Sequence, residues 1–261
     1  LGVKMHPTFK VSQVYGLQTQ RLRNVAILTP SLFKIRSGRK RLFWQDDVLE
    51  FDASSLLLTK AGQQLTFENE PTKERFLSVQ MSFFLPPAED MIETSIKMAG
   101  NECSQRFKPN RSVMASLDFL LELDTKSVSE TTQSYWLNGF YQQLAEAGKL
   151  HLIFEGHSVS FEQKITEFLQ QAPWQDYQLD QVATHFSMSR ATLIRRLKEE
   201  NTQFRTLLTR VRMNHAISLM QQGYRQQIDI AVRCGYQSQE RFSQRFYKSF
   251  GITPSQYLKT L

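Results

Sequence analysis

The sequence predicts an α+β protein of two domains: an N-terminal β-barrel or jelly roll with trailing helices, and a C-terminal all-α domain with two helix-turn-helix units. Three observations lead there. Short apolar stretches broken by turn residues run from about residue 25 to 85. Helical periodicity replaces them after Pro86-Pro87. A helix-turn-helix pattern then occurs twice in the last hundred residues, where nearly all the excess positive charge also lies.

The strand candidates are 25–28, 32–35, 41–44, 48–51, 56–58, 65–67 and 76–79, with turns at Ser37-Gly38, Gln45-Asp46-Asp47, Ala61-Gly62 and Glu70-Pro71. Strands so short and closely spaced suit an antiparallel barrel over about 19–85. Helices are expected over about 87–150. Met91, Ile92, Ser95, Ile96 and Ala99 share one face; Val113, Leu117, Leu120 and Leu121 another; Trp136, Leu137, Phe140, Tyr141 and Leu144 a third. The polar stretch Glu155-Gly156-His157-Ser158 is the expected linker, dividing domain 1–156 from domain 157–261. With 261 residues, each part is long enough to bury its own core.

Charge separates the two parts. Residues 161–261 carry 14 Lys+Arg against 8 Asp+Glu, and residues 1–160 carry 18 against 17. A basic module beside a near-neutral one points to nucleic acid, with a solubilising surface as the competing reading. No apolar run reaches the ~18–20 residues of a membrane span. The start, Leu1-Gly2-Val3-Lys4, lacks the pattern of a secretion signal. Two cysteines make no disulfide framework. A cytoplasmic protein without a membrane partner is expected.

The first helix-turn-helix covers about 179–199. Leu179, Val182, Ala183 and Phe186 face inward, Ser187-Met188-Ser189 turns, and Leu193 and Leu197 pack at i,i+4. Ala183 lets the two helices approach, and Ser189 is a good N-cap. The second covers about 228–250: Ala231 repeats Ala183, Gly235 supplies the turn, and Phe242 and Phe246 repeat Leu193 and Leu197. A long amphipathic stretch, Phe204–Gln221, joins them. Two such units can present recognition helices to major-groove segments ~34 Å apart.

With the paired core residues inward, both second helices turn polar faces out. The base-contact candidates are Ala191, Ile194, Arg195, Gln239, Glu240, Arg241 and Gln244. Arg195 and Arg241 suit guanine, Gln244 adenine, Glu240 cytosine, and Ile194 and Ala191 a thymine methyl. Arg190, Lys198, Arg245 and Lys248 are the phosphate-contact candidates. For any single one of these, a solvated surface role is the alternative.

Residues 161–261 resemble the DNA-binding domain of the AraC/XylS family of bacterial transcription regulators. The stretch Gly235 to Tyr257 resembles that family's signature almost position for position, Arg190 to Lys198 its first recognition helix, and Arg212-Met-Asn-His-Ala216 its connecting helix. The N-terminal half resembles, more loosely, the family's cupin-like barrel and helical pair, most in Leu56 to Phe67. The resemblance implies a sequence-specific DNA-binding transcriptional regulator, an activator controlled by a small-molecule effector or a partner at the N-terminal domain. Its implied partners are double-stranded promoter DNA, RNA polymerase and a second copy paired through the N-terminal helices. Gln178 and Gln227 stand where the family's scaffold helices take better caps.

The cluster Lys34, Arg36, Arg39, Lys40 and Arg41 brackets the Ser37-Gly38 turn. Lys34, Arg36, Arg39 and Arg41 are taken as candidates for an anionic effector, since some members of the family bind fatty acids at a basic barrel entrance. A solvated hairpin competes with this. No catalytic residue, cofactor or metal is expected. The histidines 6, 151, 157, 185 and 215 have no metal-ligand spacing, and phosphate-loop, dinucleotide and nucleophile-elbow motifs are absent. Cys103 lacks a neighbour to activate its thiolate, and Cys234 reads as core. The rival functions are a ligand-binding or alkyl-transfer enzyme with a DNA-binding appendage, and a nonspecific nucleoid binder.

Overall fold

A computed structural model describes residues 7–72, 74–100, 104–154 and 159–261. Two antiparallel sheets face each other in its N-terminal half. One runs β1 (Phe9–Gly16), β8 (Phe76–Phe83), β3 (Ser31–Ser37), β6 (Leu56–Thr59), β9 (Arg106–Phe107); the other runs β2 (Gln20–Ala26), β7 (Gln64–Glu70), β4 (Arg39–Trp44), β5 (Asp47–Phe51). Successive side chains point to opposite faces, so alternate residues serve different cores. Phe33 and Ile35 of β3 face inward, against Leu22, Leu42, Leu65 and Phe67 of the other sheet. Leu32 faces outward, with Leu56, Leu58, Met81 and Phe83. That outer face is covered by α1 (Glu89–Ala99), α2 (Arg111–Glu122) and α3 (Glu130–Glu146) through Ile92, Val113, Leu117, Leu137, Phe140 and Tyr141. The first sheet is therefore buried on both faces, and β6 shows no polar alternation.

The C-terminal half comprises α4 (Phe161–Gln170), α5 (Leu179–His185), α6 (Arg190–Glu199), α7 (Phe204–Gln221), α8 (Gln227–Arg233), α9 (Gln239–Phe250) and α10 (Pro254–Leu258). α7 is the spine. Leu207 and Val211 in its first half pack with Ile165, Val182, Ala183, Leu193 and Leu197. Met213, Ala216, Leu219 and Met220 in its second half pack with Ile230, Ala231, Phe242, Phe246 and Phe250, and this group is continuous with the barrel interior. The second helix-turn-helix thus closes one opening of the barrel. Backbone contacts fix it there: the N–H groups of Leu17 and Gln18 donate to the Thr260 carbonyl at 2.7 and 3.3 Å. The Asn214 amide donates to the Ala26 carbonyl.

Some expectations need correction. The sheet begins at Phe9, ahead of the expected start near 19; β1 is an edge strand in which Lys10, Ser12 and Gln13 interrupt the apolar residues. The strand expected at 25–28 is the end of a longer β2, whose register breaks between Leu22 and Val25, with Asn24 at φ 54°. Ile96 is exposed, while Ile92 and Ser95 of the same helix are buried. The expected linker 155–158 and Cys103 lie outside the described residues.

Candidate nucleic-acid interface and adjoining cavity

Each recognition helix is set by local chemistry. Ser189 caps α6 by accepting from the Thr192 N–H, and Ser238 caps α9 by accepting from the Arg241 N–H. α5 starts after Gln178 without a side-chain cap; α8 starts one residue earlier than the sequence suggests, after Gln226. Gly235 adopts φ +75°, and a Cβ there would lie 2.8 Å from the Trp174 carbonyl oxygen. Ala183 and Ala231 are buried at the two helix crossings, with Leu193, Leu197, Phe242 and Phe246 beneath the recognition helices.

All seven base-contact candidates and all four phosphate-contact candidates are solvent-exposed. Arg195 is held by Glu199 at 2.7 Å and Arg190 by Asp180 at 3.4 Å. Both pairs are open to water, where such contacts are worth ~0–1 kcal/mol and exchange readily for a phosphate or a base. α7 spaces the two units: eighteen residues at ~1.5 Å each span about 27 Å. A groove of about 960 Å³ flanks α9, lined by Arg241, Gln244, Arg245 and Lys248 on one side and by Trp174, Asp176 and Arg212 on the other.

A second concavity, of about 640 Å³, lies between the barrel and α7. Val14, Leu22, Phe33, Leu57 and Phe67 supply its apolar wall; Lys10, Lys40, Asn214, His215 and Gln221 are among its polar groups. Lys40 is 4% exposed. Its Nζ lies 3.4 Å from the Phe67 ring centroid and donates to Asn69 Oδ1 at 2.6 Å. Burial pulls its pKa down to about 7. Burial also lowers His215, helped by Lys10 and Arg233.

The four effector candidates from sequence do not line this cavity. Lys34 sits on the outer face of β3 and binds Asp118 of α2 at 2.6 and 2.8 Å. Arg36 reaches Asp118 and Glu122, Arg39 reaches Glu50, and Arg41 reaches Glu50, Glu68 and Glu70. These four are engaged in ion pairs outside the barrel. Lys40, from the same basic cluster, is the residue that points in. The signal was its parity with Leu42, two residues on, which is core. Of the histidines, His185 stacks on Phe168 at 4.2 Å and His151 Nδ1 pairs with Ser95 Oγ at 2.9 Å. Cys234 is buried, and its thiol is pushed up to about 12 by that burial.

Residues 182–260 match the family profile described as a helix-turn-helix domain. Over 95 residues the chain is 35% identical to the urease operon transcriptional activator of Escherichia coli, covering 36% of this chain and 32% of that one. Over 165 residues it is 24% identical to the transcriptional activator CfaD of Escherichia coli, covering 62% of each. Residues 182–260 form an AraC-type helix-turn-helix domain. The chain spans between about a third and three fifths of the length of these curated relatives. The fold of the whole chain is similar to that of ToxT from Vibrio cholerae, with a TM-score of 0.64 and 19% identity over 97% of this chain and 99% of that one. ToxT has also been solved with an unsaturated fatty acid bound, and that structure aligns with a TM-score of 0.63 at 17% identity, covering 100% of this chain and 98% of that one.

One buried chain of hydrogen bonds links the cavity to the AraC-type domain. Lys40 donates to Asn69 Oδ1, Asn69 Nδ2 to Gln20 Oε1 at 3.0 Å, and Gln20 Nε2 to Thr260 Oγ1 at 3.1 Å. Thr260 then donates to the Tyr257 carbonyl at 2.7 Å. Every donor points the same way, so each amide's orientation is fixed by its neighbour. Sequence reading missed this chain because its members are far apart and come together only through the sheet register.

Proposed function

We propose that this chain is a sequence-specific DNA-binding transcriptional regulator, an activator, whose DNA affinity is set by an anionic amphiphile held between its two domains. Residues 1–156 are the sensing domain and residues 157–261 the DNA-binding domain. The observation carrying the DNA reading is the pair of exposed, basic recognition helices spaced by α7. Arg195, Arg241, Gln244 and Glu240 read bases, with Ile194, Ala191 and Gln239 beside them; Arg190, Lys198, Arg245 and Lys248 hold phosphates. The effector reading rests on Lys40, a cation with no carboxylate partner among the described residues, at the wall of a cavity whose barrel side carries Phe33, Leu57 and Phe67. The fatty acid in ToxT, a protein of similar fold, agrees with it. A carboxylate head on Lys40 with its tail along Phe33, Leu57 and Phe67 fits that lining. Pairing through the helical face that exposes Phe119, Tyr135 and Trp136, and contact with RNA polymerase at the promoter, complete the proposed regulator.

A gel-shift series tests the DNA part. Arg195→Ala and Gln244→Ala each relax sequence preference at one position by about 1–3 kcal/mol of discrimination. Lys248→Ala weakens all duplexes alike and lowers the salt slope by about 1. Unchanged binding in all three variants ends the assignment, and equal affinity for every duplex leaves a nonspecific nucleoid binder. Oleate in a thermal-shift assay tests the effector part: stabilisation is expected in the wild type and is lost in Lys40→Met.

A further inference from the structure

Trp174 stands outside both recognition helices, in the segment joining α4 to α5. It is 56% exposed, so the indole presents an open apolar face beside a charged groove. The segment is held firmly on both sides of it. Arg212 of α7 donates through Nε to the Pro173 carbonyl at 3.1 Å and through Nη2 to the Gln175 carbonyl at 2.9 Å. The same guanidinium lies 5.7 Å from the Tyr236 ring centroid. The Trp174 carbonyl is packed so closely on Gly235 that any side chain there would strike it. The entrance to the first helix-turn-helix is thereby fastened to the turn of the second, with the indole displayed between them.

The groove beside the indole carries a consistent charge. Arg212, Arg241, Arg245 and Lys248 line it against the single carboxylate of Asp176. Among the described residues no ion pair engages Arg241, Arg245 or Lys248, in contrast to Arg190 and Arg195 of the first unit. Its volume of about 960 Å³ and its position on the exposed flank of α9 suit a polyanion lying across both units.

We propose that this groove holds the sugar–phosphate backbone of duplex DNA where it crosses between the two recognition helices, with Trp174 packed on a deoxyribose. The inference rests on the DNA-binding reading above. Arg212, Arg245 and Lys248 neutralise the flanking phosphates while Arg241 reaches the base edge beside them, and the indole covers the apolar sugar edge without reading a base. Because Arg212 and Gly235 already order the segment, little conformational freedom is lost on contact. Trp174 is then a positioning contact that fixes the register of both units on one duplex.

The test uses the full chain with Trp174 as its single tryptophan, made by Trp44→Phe and Trp136→Phe, and a 40-base-pair duplex at low salt. Acrylamide quenching of Trp174 is expected to fall at least about threefold on saturation with the duplex, as the ring is covered. In an otherwise wild-type chain, Trp174→Ala is expected to weaken duplex binding about tenfold with the salt slope unchanged, since no phosphate contact is lost. Trp174→Phe is expected to retain most of the affinity. Quenching that stays the same while gel shift shows the duplex bound overturns the inference and leaves DNA binding intact. Absence of any duplex binding by the wild type overturns the parent reading instead.

Discussion

Replacing Lys40 by methionine tests the cavity most sharply. Burial takes this lysine from 10.5 to about 7, which at ~1.4 kcal/mol per pH unit makes its charged form about 5 kcal/mol less favourable than in water. The Phe67 face, 3.4 Å away, returns about 1–2 kcal/mol of that to the ammonium. A net of about 3 kcal/mol remains against the folded state at neutral pH and below. The sign follows from proton counting. With the Phe67 contact lifting the folded value to about 8, the unfolded chain between there and 10.5 binds a proton at this site that the folded chain does not, so stability rises with pH across that window. Urea unfolding at pH 6.5 and pH 9.5 measures it. The wild type is expected to gain about 2 kcal/mol from this site between those pH values. Lys40→Met, similar in length and without charge, loses that part of the slope and, because Asn69 Oδ1 is left unpaired at a cost of about 1–3 kcal/mol, is expected to be between equal to wild type and about 2 kcal/mol more stable at pH 6.5. A variant less stable than wild type at pH 6.5, with the slope intact, refutes the reasoning. A bound carboxylate relieves the same cost by pairing with the ammonium, so an anion taken up here is accompanied by proton uptake above pH 7.

Gly235→Ala should cost about 2–3 kcal/mol, from the positive φ and the close Trp174 carbonyl, whereas Gly62→Ala, with the same kind of φ and nothing within 4 Å, should cost about 1 kcal/mol; equal costs in urea unfolding would show that the 2.8 Å approach does not matter. Thr260→Val removes the hydroxyl that receives Gln20, a loss of about 1 kcal/mol, and should speed exchange of the Leu17 and Gln18 amides about fivefold; unchanged exchange means that the buried chain does not hold the domains together. In a Cys103→Ser background, Cys234, buried and with its thiol pushed up to about 12, should resist a thiol reagent at pH 8 until the protein is unfolded by denaturant. Equal reaction rates in native and denatured protein would contradict its burial.

The helix-turn-helix units were legible because their determinants are local. Small residues at Ala183 and Ala231, i,i+4 pairs at Leu193/Leu197 and Phe242/Phe246, serine caps and a turn glycine all act within about twenty residues. The barrel was legible as a class, from strand length and turn spacing, but not in every strand. β1 is an edge strand with polar residues interleaved, and leaves no apolar run to detect. The effector candidates illustrate a deeper limit. Five cations crowd around one hairpin, and only the register decides which of them faces in. A shift of one residue would exchange Lys40 with Arg41. Lys34 was drawn away by Asp118, which lies 84 residues on in a helix whose docking on the sheet no local pattern reports. Trp174 carried no signal at all in sequence, because its display depends on Arg212 and Gly235, contacts made across the fold.

The claim on which the rest depends is that α6 and α9 engage one duplex together. Selection of bound sites from a random duplex pool, followed by hydroxyl-radical footprinting of the selected site, measures this directly. Two protected segments are expected, centred about one helical turn (~34 Å) apart, with protection at the first lost in Arg190→Ala/Arg195→Ala and at the second in Arg241→Ala/Gln244→Ala. A single protected segment that one of the two pairs of substitutions leaves unchanged would contradict joint reading by the two helices.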